Sequence, residues 1–186
     1  MKKYALDSKT LDVNGITLHR IRALRSFGDV RAGDPGGYIE SEANLSHDGN
    51  AWVFERAKVF GKAVVSGNAQ IRHQAQIYGN ARVAGDALVN RDACVYGKAR
   101  VLEHVWISGS AEVFDSAWLS GYVRAFGRAR IYGKARIFGA ARISGDAEVY
   151  GAPKIYGDVR ILGAARVSGD VRVSGDRVIS GNEVIK

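Results

Sequence analysis

Cysteine is almost missing from this chain. Cys94 is the only one, so no internal disulfide can form, and a reducing cytoplasm is the expected home. No apolar run approaches the roughly 18 residues of a membrane span. The opening Met1-Lys2-Lys3-Tyr4 does not lead into a signal-peptide apolar region, so no membrane partner is expected. Histidine is scarce too. Only His73 and His104 fall after residue 52, too few for the three converging imidazoles of a catalytic zinc site, so no metal and no cofactor is expected. Threonine is absent after residue 52, which removes the outward threonine rows of an ice-binding surface. The many glycines are evenly spaced and form no loop that would cradle a phosphate.

What the chain does have is a repeat. From Val53 to Ile185 one six-residue unit recurs without insertion or deletion: aliphatic, variable, Gly, variable, Ala, variable. Ile131-Tyr132-Gly133-Lys134-Ala135-Arg136 is one copy. The first position is Val, Ile or Leu at 22 of 23 places, which marks it as a core position; Ala125 is the exception. The small residue and the next aliphatic residue are two apart, as in Ala129-Arg130-Ile131. That is strand alternation, so both face inward and their neighbours face out. Gly and the residue after it supply a sharp turn. Such short strands cannot bury an apolar face alone, but coils stacked about 4.8 Å apart can.

This pattern resembles the left-handed parallel β-helix of the hexapeptide-repeat superfamily, known from acyltransferases, in which three hexapeptides close one triangular coil. That family usually places Gly directly after the aliphatic residue; here it comes two after. The resemblance implies an all-β, single-stranded left-handed parallel β-helix of about seven triangular coils over residues 53–186. Residues 1–52 lack the repeat and read as an N-terminal β cap. Thr10 to Leu24 is predicted to be a hairpin turning at Asn14-Gly15, and Gly33-Asp34-Pro35-Gly36-Gly37 a loop. The stretches Arg20-Ile21-Arg22-Ala23-Leu24, Gly36-Gly37-Tyr38-Ile39-Glu40-Ser41-Glu42 and Asn44-Leu45-Ser46 look like the start of short phage and prophage hexapeptide proteins of the YdcK-like kind. At the far end Arg177 and Glu183 take inward slots. Either the last coil frays, or two chains pair end to end and exchange these charges.

With three hexapeptides to a coil, every third unit stacks on the same face. One such column reads Phe60, Tyr78, Tyr96, Phe114, Tyr132, Tyr150. Stacked aromatics support a sheet, and a strip of them also suits an interface with a protein partner or a second copy of the chain; base stacking is the weaker alternative. The net charge is +8, yet residues 1–52 carry seven basic and seven acidic side chains, so the excess lies on the repeat. Arg124, Arg130, Arg136, Arg142 and Arg160 form the candidate basic face. It suits solubility, or an acidic protein surface. Phosphate rhythms of about 3.4 Å do not match the coil spacing, which disfavours nucleic acid. One corner lacks Gly in three successive coils and stacks Glu55, His73 and Arg91. This is a salt-bridged corner, or a His placed as general base. Glu103-His104 is a weaker counterpart.

These features imply a non-catalytic rigid binding or scaffold protein. The phage-like resemblance implies an accessory factor in a bacterial host that acts through a protein–protein interface, for instance by blocking a host or defence complex. Two alternatives stay open. One is an acyltransferase using acetyl-CoA, with His73, Glu55 and His104 as catalytic candidates; the repeat, however, has no projecting loop. The other is a self-assembling structural subunit.

Overall fold

The architecture is seen in a computed structural model that describes residues 2–186. It is an all-β parallel solenoid preceded by a short strand region. Strand β1 runs Tyr4–Val13, β2 runs Ile16–Ala23 and β3 runs Pro35–Ile39. From Trp52 onward every strand is two residues long, one in each hexapeptide. Three sheets result, one for every third strand. The first sheet has eleven strands, including β1, β2 and β3; the second has seven and the third eight. Lys58-Val59 belongs to the first, Val64-Val65 to the second and Gln70-Ile71 to the third. Within the repeat every pairing is parallel and offset by three hexapeptides, as in Cys94↔Glu112.

The hexapeptide dictates this directly. The aliphatic position is at most 1% exposed from Val53 to Ile179. The small slots beside it are buried from Ala57 to Ala165, so the core is one continuous apolar column. Each outward residue bonds to the coil above, for example Phe60 N–H to the Ile77 carbonyl at 3.0 Å. The corner glycines have φ between +65° and +89° along the repeat, the left-handed region that other residues enter at a cost. Their Cα atoms stack closely. A Cβ built on Gly97 would lie 2.8 Å from the Asp115 nitrogen.

The solenoid has about eight layers rather than seven, as the eight strands of the third sheet show. The first of these layers includes Trp52-Val53 and is completed by the cap. Tyr38-Ile39 pairs in parallel with Lys58-Val59, and Leu45 bridges Val65. These offsets exceed three hexapeptides by two positions. The surplus is inserted between Leu45 and Val53, which hid this layer from the repeat. The cap begins with the expected hairpin, and Asn14 and Gly15 have φ of 53° and 80°. Its first strand reaches back to Tyr4. The expected Gly33–Gly37 loop is only half right, because Pro35, Gly36 and Gly37 open β3. The two glycines are there for close approach: a Cβ on Gly36 would sit 2.5 Å from Ile21, and one on Gly37 2.6 Å from the Ala57 carbonyl oxygen.

Three buried polar groups fasten the cap. The Asn44 amide donates to the Gly61 and Ala63 carbonyls at 3.0 and 2.9 Å and accepts from Ser41 N–H at 2.9 Å. The Tyr4 hydroxyl donates to the Leu45 carbonyl at 2.7 Å. Lys3 is wholly buried and donates through Nζ to the Ala51 carbonyl at 2.9 Å, with the Phe27 ring beneath it. Burial pulls the Lys3 pKa from 10.5 to about 8; the Arg25 charge lowers it further and Asp48 opposes both. The unfolded chain therefore holds more protons between about pH 8 and 10.5, and stability rises with pH across that window. Tyr4 acts in the other sense. Its pKa is raised by burial and by Glu42, so ionisation of the unfolded tyrosine erodes stability above about pH 10. Calorimetry should show Tm climbing from about pH 8, levelling above about pH 9 as the half-buried Cys94 thiol, whose pKa is raised, opposes Lys3, and falling above about pH 10. Lys3→Met should flatten the climb; a climb of unchanged size would assign it to another group.

Candidate functional site

The six aromatic residues from Phe60 to Tyr150 form one stack on the first sheet. Neighbouring centroids lie 4.8–5.2 Å apart and the planes are within 8° of parallel. Coil rise and ring-stacking distance coincide, so each ring covers its neighbours' faces and all six are half-buried. The column beside them alternates in charge. Arg130 lies 3.7 Å from Glu112 and 3.6 Å from Glu148, and Arg166 lies 3.5 Å from Glu148. The Tyr96 hydroxyl donates to Glu112 at 3.3 Å. Burial chiefly, with Glu112 second, pushes its pKa up to about 12. Cys94 stands in the same charged column, half-buried, and burial raises its thiol pKa. This first face is internally compensated.

The five basic residues do not share a face. Arg130 belongs to the first sheet, Arg136 to the second, and Arg124, Arg142 and Arg160 to the third. Because three hexapeptides make a coil, positions one unit apart stand on different sides of it. On the third sheet Arg124, Arg142 and Arg160 occupy consecutive coils, and none forms an ion pair among the described residues. Beside them is a depression of about 320 Å³ lined by Trp106, Ser108, Arg124, Ala125 and Phe126. Trp106 is 41% exposed and Phe126 43%; the Arg124 guanidinium lies 5.6 Å from the Trp106 ring. Ala125, the one small residue in the aliphatic series, lies at its floor. Trp106 and Phe126 occupy different columns in adjacent coils. Reading each column separately hid the pair; unrolling the coils into a net would have shown it.

The histidine corners serve the backbone. Glu55, His73 and Arg91 share positive φ values of 46°, 60° and 60°. The Glu55 carboxylate accepts a bond from His73 N–H, and His73 Nδ1 lies 3.5 Å from the Arg91 backbone nitrogen. No ion pair joins the three among the described residues. Asp115 does the same at another corner, accepting from Gly133 N–H at 3.2 Å. Corner side chains thus cap an N–H that the coil-to-coil ladder leaves over. His104 differs. Its Nδ1 lies 3.4 Å from Asp86 and its ring stacks on Tyr122 at 4.7 Å. Arg177 and Glu183 are both exposed and pair with each other at 3.5 Å within the chain, which gives these inward-slot charges a partner at the same coil edge.

This geometry defines a hexapeptide-repeat parallel β-solenoid whose outward columns are its chemistry. Residues 75–91 and 165–181 match the family model described as the YdcK beta solenoid repeat. The chain is also 42% identical over 52 residues to a protein of Escherichia coli strain K12 called "Uncharacterized acetyltransferase YdcK". That stretch is 27% of this chain and 16% of the relative. Among the described residues no helix is long and apolar enough to cross a membrane.

Proposed function

We propose that the protein is a non-catalytic, rigid binding scaffold that holds an acidic protein surface on its third sheet. The observation that carries this reading is the row of unpaired Arg124, Arg142 and Arg160 beside the exposed Trp106 and Phe126. Trp and Arg are among the side chains that most often anchor protein interfaces. The stacked two-residue strands already fix the backbone that carries them, so binding has only side chains to order. The acidic partner would balance three cations that form no ion pair among the described residues, although Asp158 lines a depression with Arg142 and Arg160. An accessory factor that occupies a bacterial partner's surface would act in this way.

The test is comparative capture from a bacterial lysate. Trp106→Ser/Arg124→Glu should release the partner that the unaltered chain retains, and high salt should weaken that retention. Equal retention by the variant would remove the third sheet from consideration. The relative's name points instead to acetyl transfer, and the Asp86–His104 contact is the one feature that suits it, since a carboxylate at Nδ1 orients a general base. Acetyl-CoA binding abolished by His104→Ala, with capture unaffected, would favour that second reading.

A further inference from the structure

The second sheet carries a different constellation, at its corner with the first. Lys98, Arg100, Ser116, Trp118, Lys134 and Arg136 line a depression of about 380 Å³. They come from three successive coils. The lowest contributes Lys98 and Arg100, the highest Lys134 and Arg136, and the middle one the short Ser116 and the flat Trp118. Two coil spacings, about 10 Å, separate the lower pair of cations from the upper. The middle coil therefore forms a floor with cationic walls on both sides. The column through Lys98 reads Lys62, Asn80, Lys98, Ser116, Lys134, Ala152, Asp170. Two neutral residues in it lie between lysines, and Ser116 is the shorter, so the space between the charges is widest there.

The polar chemistry of the cup is one-sided. Its two ammonium and two guanidinium groups only donate, and the Ser116 hydroxyl can also donate. None of the four cations forms an ion pair among the described residues. Trp118 Nε1 is buried with no hydrogen-bond partner, an exception of a kind that native structures seldom keep without reason. Asp115, next to Ser116, is turned to the Gly133 N–H instead. The Trp118 ring packs against the Arg100 guanidinium at 5.8 Å and, edge to face, against Phe138 at 5.6 Å.

We propose that this cup binds a tetrahedral oxyanion, a phosphate or sulfate group, over Ser116 between the two pairs of cations. Guanidinium forks match the paired oxygens of such a group, and the lysines supply point charge from each side. The cup lies on a different sheet from the arginine row of the third sheet, so it stands or falls separately from the scaffold reading.

The experiment is calorimetric titration of the full chain, at low ionic strength, with inorganic phosphate, inorganic sulfate and a nucleoside monophosphate. Saturable one-to-one binding is expected, weakened at least about tenfold in Arg100→Gln/Arg136→Gln. The control Arg31→Gln/Arg56→Gln, two exposed arginines away from both basic sites, should bind as the unaltered chain does. Binding of the inorganic ions would assign the site to the free oxyanion; binding of the monophosphate alone would assign it to a phosphate ester. Tryptophan emission should respond to the ligand, and Trp118→Phe should silence the response. The altered arginines are exposed, so unchanged melting of both variants is expected. No saturable binding of any of the three anions would overturn the proposal. So would equal weakening in the two variants, which would report bulk charge only.

Discussion

Replacing Tyr96, Phe114 and Tyr132 together by Ser is expected to lower the unfolding free energy by about 2–6 kcal/mol, at about 0.5–1.5 kcal/mol for each stacked pair lost beyond its area burial. Five stacked contacts join the six rings, and this triple variant removes four, leaving only Phe60 on Tyr78. The variant also uncovers the inner faces of Tyr78 and Tyr150 and strips Glu112 of the Tyr96 hydroxyl. Urea unfolding measures the loss through the shift in midpoint. Phe126→Ser is the contrast. That ring is more exposed and has no aromatic neighbour above or below, so its loss should cost less than about 1 kcal/mol. Comparable losses from the two variants would mean that stacking on the first sheet adds nothing to stability. Should the triple variant still capture a partner, the ladder serves the fold rather than recognition.

A larger penalty at one position is expected for Gly97→Val. Its φ of +70° is strained for any side chain and worst for a β-branched one, about 1–2 kcal/mol or more. The new Cβ would also press within 2.8 Å of the Asp115 nitrogen in the next coil, and overpacking of that order costs about 1–3 kcal/mol. Together strain and overpacking come to about 2–5 kcal/mol. Gly181 separates them. It has φ of +65° but nothing within 4 Å of a methyl placed there, so Gly181→Val should show the strain alone. Gly97→Asp should be milder than Gly97→Val, because its carboxylate would cap the Asp115 N–H as Asp115 caps Gly133. If all three variants unfold at the same urea concentration, the corners are more compliant than their close stacking implies.

Much of this was legible in the letters. The period of six gave the inward pair and, with three units to a coil, the stacking register, and hence the column that starts at Phe60. The extra first layer was not legible, because Ile39 and Leu45 stand in the right alternation but two positions out of phase with Val53. The corner at Glu55, His73 and Arg91 could be located from missing glycines. Its use could not, since charges stacked in sequence suggest an ion-paired column and only coordinates show the side chains turned onto backbone N–H groups. The cup around Trp118 escaped because it spans two columns, one of them the position after Gly. That position reads as a bare turn until three coils are laid side by side.

The two-residue step between Leu45 and Val53 has a consequence for how the chain finds its structure. Interchangeable hexapeptides offer many pairings that differ by whole units and bury nearly the same apolar surface, a degenerate landscape with little gap between right and wrong stacks. The step occurs once. Only the layer holding Asn44, with its amide locked onto Gly61 and Ala63, satisfies it. Winding that starts there inherits a unique origin, and each later coil copies its phase from the one before. The cap is thus the zero mark of an otherwise unnumbered ruler, and a chain deprived of it would have no way to count.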